Sequence, residues 1–270
     1  MASYASPNSI LITGATSGIG RALALHYAAP ARTLILHGRD AERMATVAAA
    51  CTARGAAVVT LLHDVTDIDG WMRALDRVMA ATPVDLAIVN AGTSHAVGRG
   101  GESWADIERV LNTNLRAALA TTSALLPHMQ RRGGGQIALI SSLSAWYGVP
   151  VTPTYSASKA ALKNYGEAMR AWLAPQHIAV SVVLPGFVKT PMSDRFPGAR
   201  PFVISVEAAA EIIARGLARN QARISFPFLM AIGAWWLGLL PAAVSQWIMG
   251  RMGYVRSGPG PKLPAENSDA

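Results

Sequence analysis

The chain has one cysteine, Cys51, in 270 residues. An internal disulfide framework and a Cys-rich metal site are thereby excluded, as suits a reducing compartment. Charge is also scarce, at 15% of residues, and unbalanced, with 16 acidic against 24 basic side chains for a net +8. The basic excess is dispersed: Arg131–Arg132 is the one adjacent basic pair, and no aromatics interleave with basic residues. A nucleic-acid partner is therefore not expected. The six histidines, His26, His37, His63, His95, His128 and His177, show no ligand spacing such as H-x-x-x-H, so no metal is expected. The N-terminal MASYASPNS has no basic cluster followed by an apolar run, so no secretory signal is visible and the cytoplasm is the default location. What is abundant is apolar side chain, 51% of the chain, enough for one large globular core.

Short runs rich in Ile, Leu and Val alternate with longer Ala-rich segments of helical period. Strands are expected at Ser9–Thr13, Thr33–His37, Ala57–Leu62, Leu86–Asn90, Gln136–Ser141 and Ala179–Leu184, each too apolar to be an exposed strand. Helices are expected near Ile19–Ala28, Ala41–Arg54, Trp71–Ala81, Ser103–Met129 and Tyr155–Leu173, the last ending before Pro175. The alternation predicts an α/β fold, a doubly wound parallel sheet of six strands with helices around it. Residues 187–205 hold Pro191, Pro197 and Pro201 and read as an irregular lid.

The first strand runs into Thr13-Gly14-Ala15-Thr16-Ser17-Gly18-Ile19-Gly20 and then a helix. Glycines allow a tight turn and close backbone approach, and a helix N-terminus offers unpaired N–H groups and the positive end of its dipole. A dinucleotide pyrophosphate suits such a turn, although G-x-x-x-G-x-G differs from the G-x-G-x-x-G fingerprint. Tyr155 and Lys159 stand four apart at the start of a helix, which puts both on one face. A free tyrosine titrates near 10, so acid or base work near neutrality asks for roughly 4 kcal/mol of differential stabilisation, part of which an adjacent ammonium supplies. Ser142 ends a strand, and ligands of parallel sheets gather at the carboxyl ends of strands; neighbouring Ser141 points to the other face by alternation.

Taken together, the TGxxxGIG turn, Asn90-Ala91-Gly92, Asn114 within Asn112-Thr113-Asn114-Leu115, Ser142, Tyr155-Ser156-Ala157-Ser158-Lys159, Pro185-Gly186 and Thr190 resemble the short-chain dehydrogenase/reductase family, in order, from about Ile10 to Thr190. The resemblance implies a single Rossmann-type domain over residues 1–223 and an NAD(P)-dependent oxidoreductase that moves a hydride between nicotinamide and a carbonyl or secondary alcohol. It implies that Tyr155 is the proton donor and acceptor, that Ser142 holds the substrate carbonyl and that Lys159 binds the nicotinamide ribose. It also implies that the Asn114 backbone carbonyl holds a relay water. Cofactor contacts carried over by the resemblance are Gly14, Thr16, Ser17, Gly18, Ile19 by its backbone, Gly20, Asp64 and Val65 at the adenine, Asn90, Ala91, Gly92, Tyr155, Lys159, Pro185, Gly186, Val188, and Thr190 at the carboxamide. A homodimer or homotetramer is implied as well. The second strand ends Gly38-Arg39-Asp40, and a cation there favours the 2′-phosphate of NADP(H), whereas a carboxylate favours NAD(H). Arg39 comes first after Gly38, so NADP(H) is expected over NAD(H). Other functions on the same frame would be a non-catalytic sensor of nicotinamide redox state, which the intact Tyr155 and Lys159 oppose, or a nucleotide-sugar epimerase or dehydratase, which normally has a larger substrate domain.

From Ile224 to Gly250 no charged residue occurs, and Trp235, Trp236 and Trp247 stand within the run. Pro241 and the glycines interrupt it, leaving less than the roughly 20 residues of a membrane span. Residues 224–256 are expected to form an apolar helical extension, either a peripheral membrane contact through 224–250, with Arg251 and Arg256 facing anionic lipid, or a cap on the cleft or an oligomer surface. Both readings point to an apolar ketone or alcohol, lipid-, steroid- or acyl-like, as substrate. Residues 257–270 read as a flexible tail.

Overall fold

The computed structural model describes residues 6–97 and 101–254. The tail expected at 257–270, and Arg256 with it, lie outside the described residues. Seven parallel strands, β1 (Ser9–Ile12), β2 (Thr33–Gly38), β3 (Ala57–Leu62), β4 (Leu86–Val89), β5 (Gly135–Ile140), β6 (Ile178–Pro185) and β7 (Arg223–Phe226), form one sheet in the order β3-β2-β1-β4-β5-β6-β7. Six were expected. The seventh is only four residues, begins on a charge and runs straight into the apolar segment, so its own period merges with the run beyond it. It also moves the start of the apolar segment into the sheet. A second correction concerns β3: it lies at the sheet edge, with Ala57, Thr60 and Leu62 exposed, because only β2 pairs with it.

Alternate residues of β1 serve opposite layers. Ile10 and Ile12 face α1 (Gly18–Tyr27), α2 (Ala41–Thr52) and α8 (Val206–Ala218). Leu11 faces α3 (Ile68–Ala81), α5 (Ala117–Arg131) and α6 (Pro153–Leu173). Burial on both faces is why these strands read as unbroken apolar runs. The helix expected at Ser103–Met129 is α4 (Trp104–Leu111) joined to α5 through a wide π turn at Asn112–Arg116. The chain order reverses between β1 and β4, which opens a crevice at their carboxyl ends.

The lid is more ordered than its prolines suggest. It contains the single turn α7 (Pro191–Asp194), and Lys189 N donates to Ile204 O while Ile204 N donates to Phe187 O. The extension is helical, α9 (Phe228–Leu237) and α10 (Ala242–Arg251), separated at Pro241.

Candidate active site

At the end of β1 the turn is held from both sides. Thr13 Oγ1 accepts from the backbone N–H groups of Asn90 (2.8 Å) and Ala91 (2.9 Å), and Asn90 Nδ2 donates back to Thr13 O and Gly14 O. Gly18 has φ +52°, and a Cβ at Gly20 would overlap the Gly14 carbonyl, so side chains are excluded where the backbone must stay open. The end of α1 is bare. Ser17, its N-cap, makes no side-chain capping bond and the first turn has no acid, whereas α2, α3, α4 and α8 are capped by Asp40, Asp67, Ser103 and Ser205. Unpaired N–H groups at a positive dipole end fit a pyrophosphate. Thr16 lies against Gly38, and Ile19 packs on the core, leaving its backbone toward the turn.

Farther along the crevice, β5 and α6 bring four side chains together. Ser142 caps the turn after β5, and its Oγ accepts from Ser144 N at 3.2 Å. Ser141 Oγ instead donates to Lys159 O at 2.7 Å, inside the core. Burial of the Tyr155 phenol pushes its pKa above the ordinary value, and a hydrogen bond with Ser142 opposes that rise. This corrects the expectation that a neighbouring ammonium lowers the phenol. Lys159 Nζ lies 5.6 Å from the Tyr155 ring centroid and donates to Ile140 O at 2.8 Å, and its own burial lowers its pKa to about 8. Burial is thus the dominant influence on both groups.

Asn114 sits fully buried in the π turn, a distortion that recurs at functional sites. Its Oδ1 accepts from Thr93 N (2.7 Å), and its Nδ2 donates to Thr93 O (2.9 Å) and Ser158 Oγ (3.1 Å). The side chain is therefore fully engaged, tying β4's exit to α6. Gly92 faces both groups: a Cβ there would lie 3.2 Å from Asn114 Oδ1 and 3.5 Å from Lys159 Nζ. A side chain would fill the gap that the glycine keeps clear.

At the junction of β2 and α2, Arg39 Nη1 meets Asp64 Oδ2 at 3.3 Å, both side chains well exposed. The Asp64 carboxyl is pushed up by partial burial but ends below its usual value, because Thr66 and Arg39 hydrogen-bond to it. Asp40 is committed elsewhere: it caps α2 by accepting from Arg43 N and pairs with Arg43 Nε at 2.9 Å. The Val65 and Val188 side chains face the core, which leaves only their backbones toward the crevice. Thr190 caps α7, and its methyl group is the near neighbour of Gly18, so the loop after Pro185–Gly186 reaches the glycine turn.

Sequence reasoning missed His37. It is 2% exposed; its Nδ1 accepts from Gly14 N at 3.3 Å while Nε2 meets His63 O at 3.0 Å. Burial chiefly lowers its pKa to about 4, so it is a neutral imidazole bracing the turn. Ser158, whose hydroxyl donates to Tyr155 O, was passed over as a spacer within Tyr-x-x-x-Lys. An open pocket of about 450 Å³ lies between residues 144–150 and α6, lined by Ala145, Trp146, Val149, Pro150 and Ala157 among others; Tyr155 and Lys159 do not line it.

Residues 8–199 match the sequence model of the family described as short chain dehydrogenase. An uncharacterized oxidoreductase of Myxococcus xanthus is 34% identical over 236 residues, covering 86% of this chain and 92% of that protein. A short-chain dehydrogenase from Sphingobium yanoikuyae, solved in complex with NADPH, superimposes with a TM-score of 0.76 at 27% identity, covering 93% of this chain and 98% of that one. A short chain dehydrogenase from Mycobacterium paratuberculosis bound to NAD gives a TM-score of 0.70 at 25% identity, with 81% and 94% covered.

Proposed function

The chain belongs to the short chain dehydrogenase family and is an NAD(P)-dependent oxidoreductase; we propose that it reduces an apolar ketone with NADPH. The observation that carries the reading is the placement of Ser142 at the end of β5 beside Tyr155 and Lys159 of α6, with Asn114 near Lys159, in the crevice that also holds the bare end of α1. When bound, nicotinamide supplies the hydride that reduces the carbonyl carbon. The protein's part is positioning and proton movement. Ser142 holds the carbonyl oxygen within hydrogen-bond reach of Tyr155, and Tyr155 gives that oxygen its proton. A phenol raised by burial stays protonated through neutral pH, which suits a donor in the reducing direction. Lys159, still mostly cationic at neutrality with its pKa of about 8, is the hydrogen-bonding cation for the ribose and restores the phenol's proton. Asn114, locked by its side-chain bonds, fixes the π turn whose backbone carbonyl carries the relay to solvent.

Support for NADPH over NADH comes from the junction of β2 and α2. Arg39 is exposed at the adenosine end, whereas the competing carboxylate, Asp40, is taken up in capping a helix. The NADPH complex of the Sphingobium protein agrees with that assignment, and the NAD complex of the Mycobacterium protein shows that related chains accept either. An apolar substrate is supported by the pocket lining at 145–157 and by α9, whose Met230, Ala231 and Ala234 pack on Leu143 next to Ser142. Titration with NADPH and NADH, then turnover of aliphatic, steroid and acyl ketones, tests the reading. Tyr155→Phe should keep NADPH affinity and lower turnover by about 10²–10⁴-fold; unchanged turnover would remove Tyr155 from the chemistry.

A further inference from the structure

Among the described residues no helix is long and apolar enough to cross a membrane, yet α9 and α10 present two faces each. On α9, Met230, Ala231 and Ala234 pack inward on Leu143, Val182 and Leu184. Phe228, Leu229, Ile232, Trp235 and Trp236 are exposed, Phe228 to 73%, and their spacing by one, three and four places them together on the opposite side. On α10, Ser245 and Met249 are buried while Val244 and Trp247 are exposed. Arg251 lies one turn beyond Trp247 with its guanidinium 5.3 Å from the ring centroid.

The lid also exposes apolar side chains, Met192, Phe202 and Val203. Lid and extension are stitched together: Tyr254 donates to Ala199 O at 2.7 Å, and its ring packs edge-on against Phe196, which in turn meets Phe187. Basic side chains outnumber acidic ones on the lid and on α9 and α10: Lys189, Arg195, Arg200 and Arg251 against Asp194. Lys189 and Arg195 are exposed without an ion pair among the described residues, and the lid's acid, Asp194, is engaged by Arg200.

We propose that the outward faces of α9 and α10, with the exposed lid side chains, dock the protein on one leaflet of an anionic bilayer. Tryptophans with an adjoining arginine suit the headgroup level, where an amphipathic ring and a snorkelling guanidinium both find water and hydrocarbon. Anionic headgroups neutralise Lys189, Arg195 and Arg251. A second copy would instead set the same cations against each other across a two-fold axis. The inward side of α9 touches the cleft, since a Cβ at Gly186 would meet Met230 Sδ, so docking brings the cleft wall to the bilayer. The docking stands apart from the ketone reading and does not need it.

The full chain is to be mixed with vesicles of phosphatidylcholine alone, or of phosphatidylcholine and phosphatidylserine in equal parts, and the bound fraction read by flotation, with NADPH titration and light scattering alongside. Binding to the anionic vesicles that weakens with salt, and a loss of about tenfold or more in W236E/W247E at unchanged NADPH affinity, is the expected result. No flotation with either vesicle, or equal flotation of the variant, overturns the proposal. A dimer that W236E/W247E turns into a monomer, with no vesicle binding by the parent chain, overturns it in favour of an interface between copies.

Discussion

His37 shows how much of a binding turn can rest on one buried residue. Its ring joins three segments, accepting from Gly14 N, meeting His63 O and packing 4.5 Å from the Trp71 ring. Burial dominates and lowers its pKa to about 4; the hydrogen bond with the His63 backbone carbonyl and the Asp64 carboxylate favour the imidazolium, while the His63 ring and Arg39 disfavour it. A base whose folded pKa lies below its unfolded value of about 6.5 leaves stability intact above 6.5 and erodes it as pH falls toward 4. The loss approaches about 3 kcal/mol once both states are protonated. Protonated Nδ1 also ceases to accept from Gly14. Thermal midpoints and NADPH affinity should therefore fall together between pH 6.5 and 4, and His37→Asn should flatten both profiles; parallel profiles in the two proteins would show the acid sensitivity to lie elsewhere. Nothing in the linear sequence announces this residue, because its partners are 23 and 26 positions away. Tyr155, Lys159, Ser142 and Asn114 stood out because they fall at the motif spacings of the family, and the fold sets Lys159 Nζ 5.6 Å from the Tyr155 ring. The phenol's raised pKa was not legible, since desolvation depends on packing.

At the scale of the element, the junction of β2 and α2 separates two functions in adjacent residues. Asp40 accepts from Arg43 N at 3.0 Å to start α2, while Arg39, the residue proposed to meet the adenosine 2′-phosphate, pairs with Asp64. Asp40→Ala should cost about 1 kcal/mol of stability, as loss of an N-cap does, with the ratio of NADP(H) to NAD(H) affinity unchanged. Arg39→Ala should do the reverse, raising the dissociation constant of NADP(H) more than that of NAD(H) at constant melting temperature. Equal weakening toward both cofactors would remove Arg39 from the choice between them. Elements buried along almost their whole length, such as β1 and β5, could be read directly as unbroken apolar runs. Two elements were missed for different reasons: β7 is too short to show a period, and the π turn at Asn112–Arg116 keeps the helical pattern of α4 and α5 while changing their geometry.

At the scale of the molecule, the lid is tied to Tyr254, a residue that follows α10 in the described chain. Tyr254 lies more than fifty residues beyond Ala199, yet it supplies both a hydrogen bond and an aromatic contact to the segment 196–199. Burial pushes its hydroxyl up to about 12, so it remains a donor throughout the neutral range. Phe196 then carries the contact to Phe187, immediately after Pro185–Gly186 in the crevice wall. Releasing this chain of contacts should loosen the lid without touching the acid–base residues. Tyr254→Phe removes one neutral hydrogen bond, worth about 1 kcal/mol, and keeps the ring; Tyr254→Ala removes both. Limited proteolysis within 187–205 should therefore quicken modestly in the first variant and strongly in the second, with KM for an apolar ketone rising in the same order and kcat much less affected. Cleavage at the parent rate in Tyr254→Ala would mean that the bond between Lys189 and Ile204 holds the lid unaided.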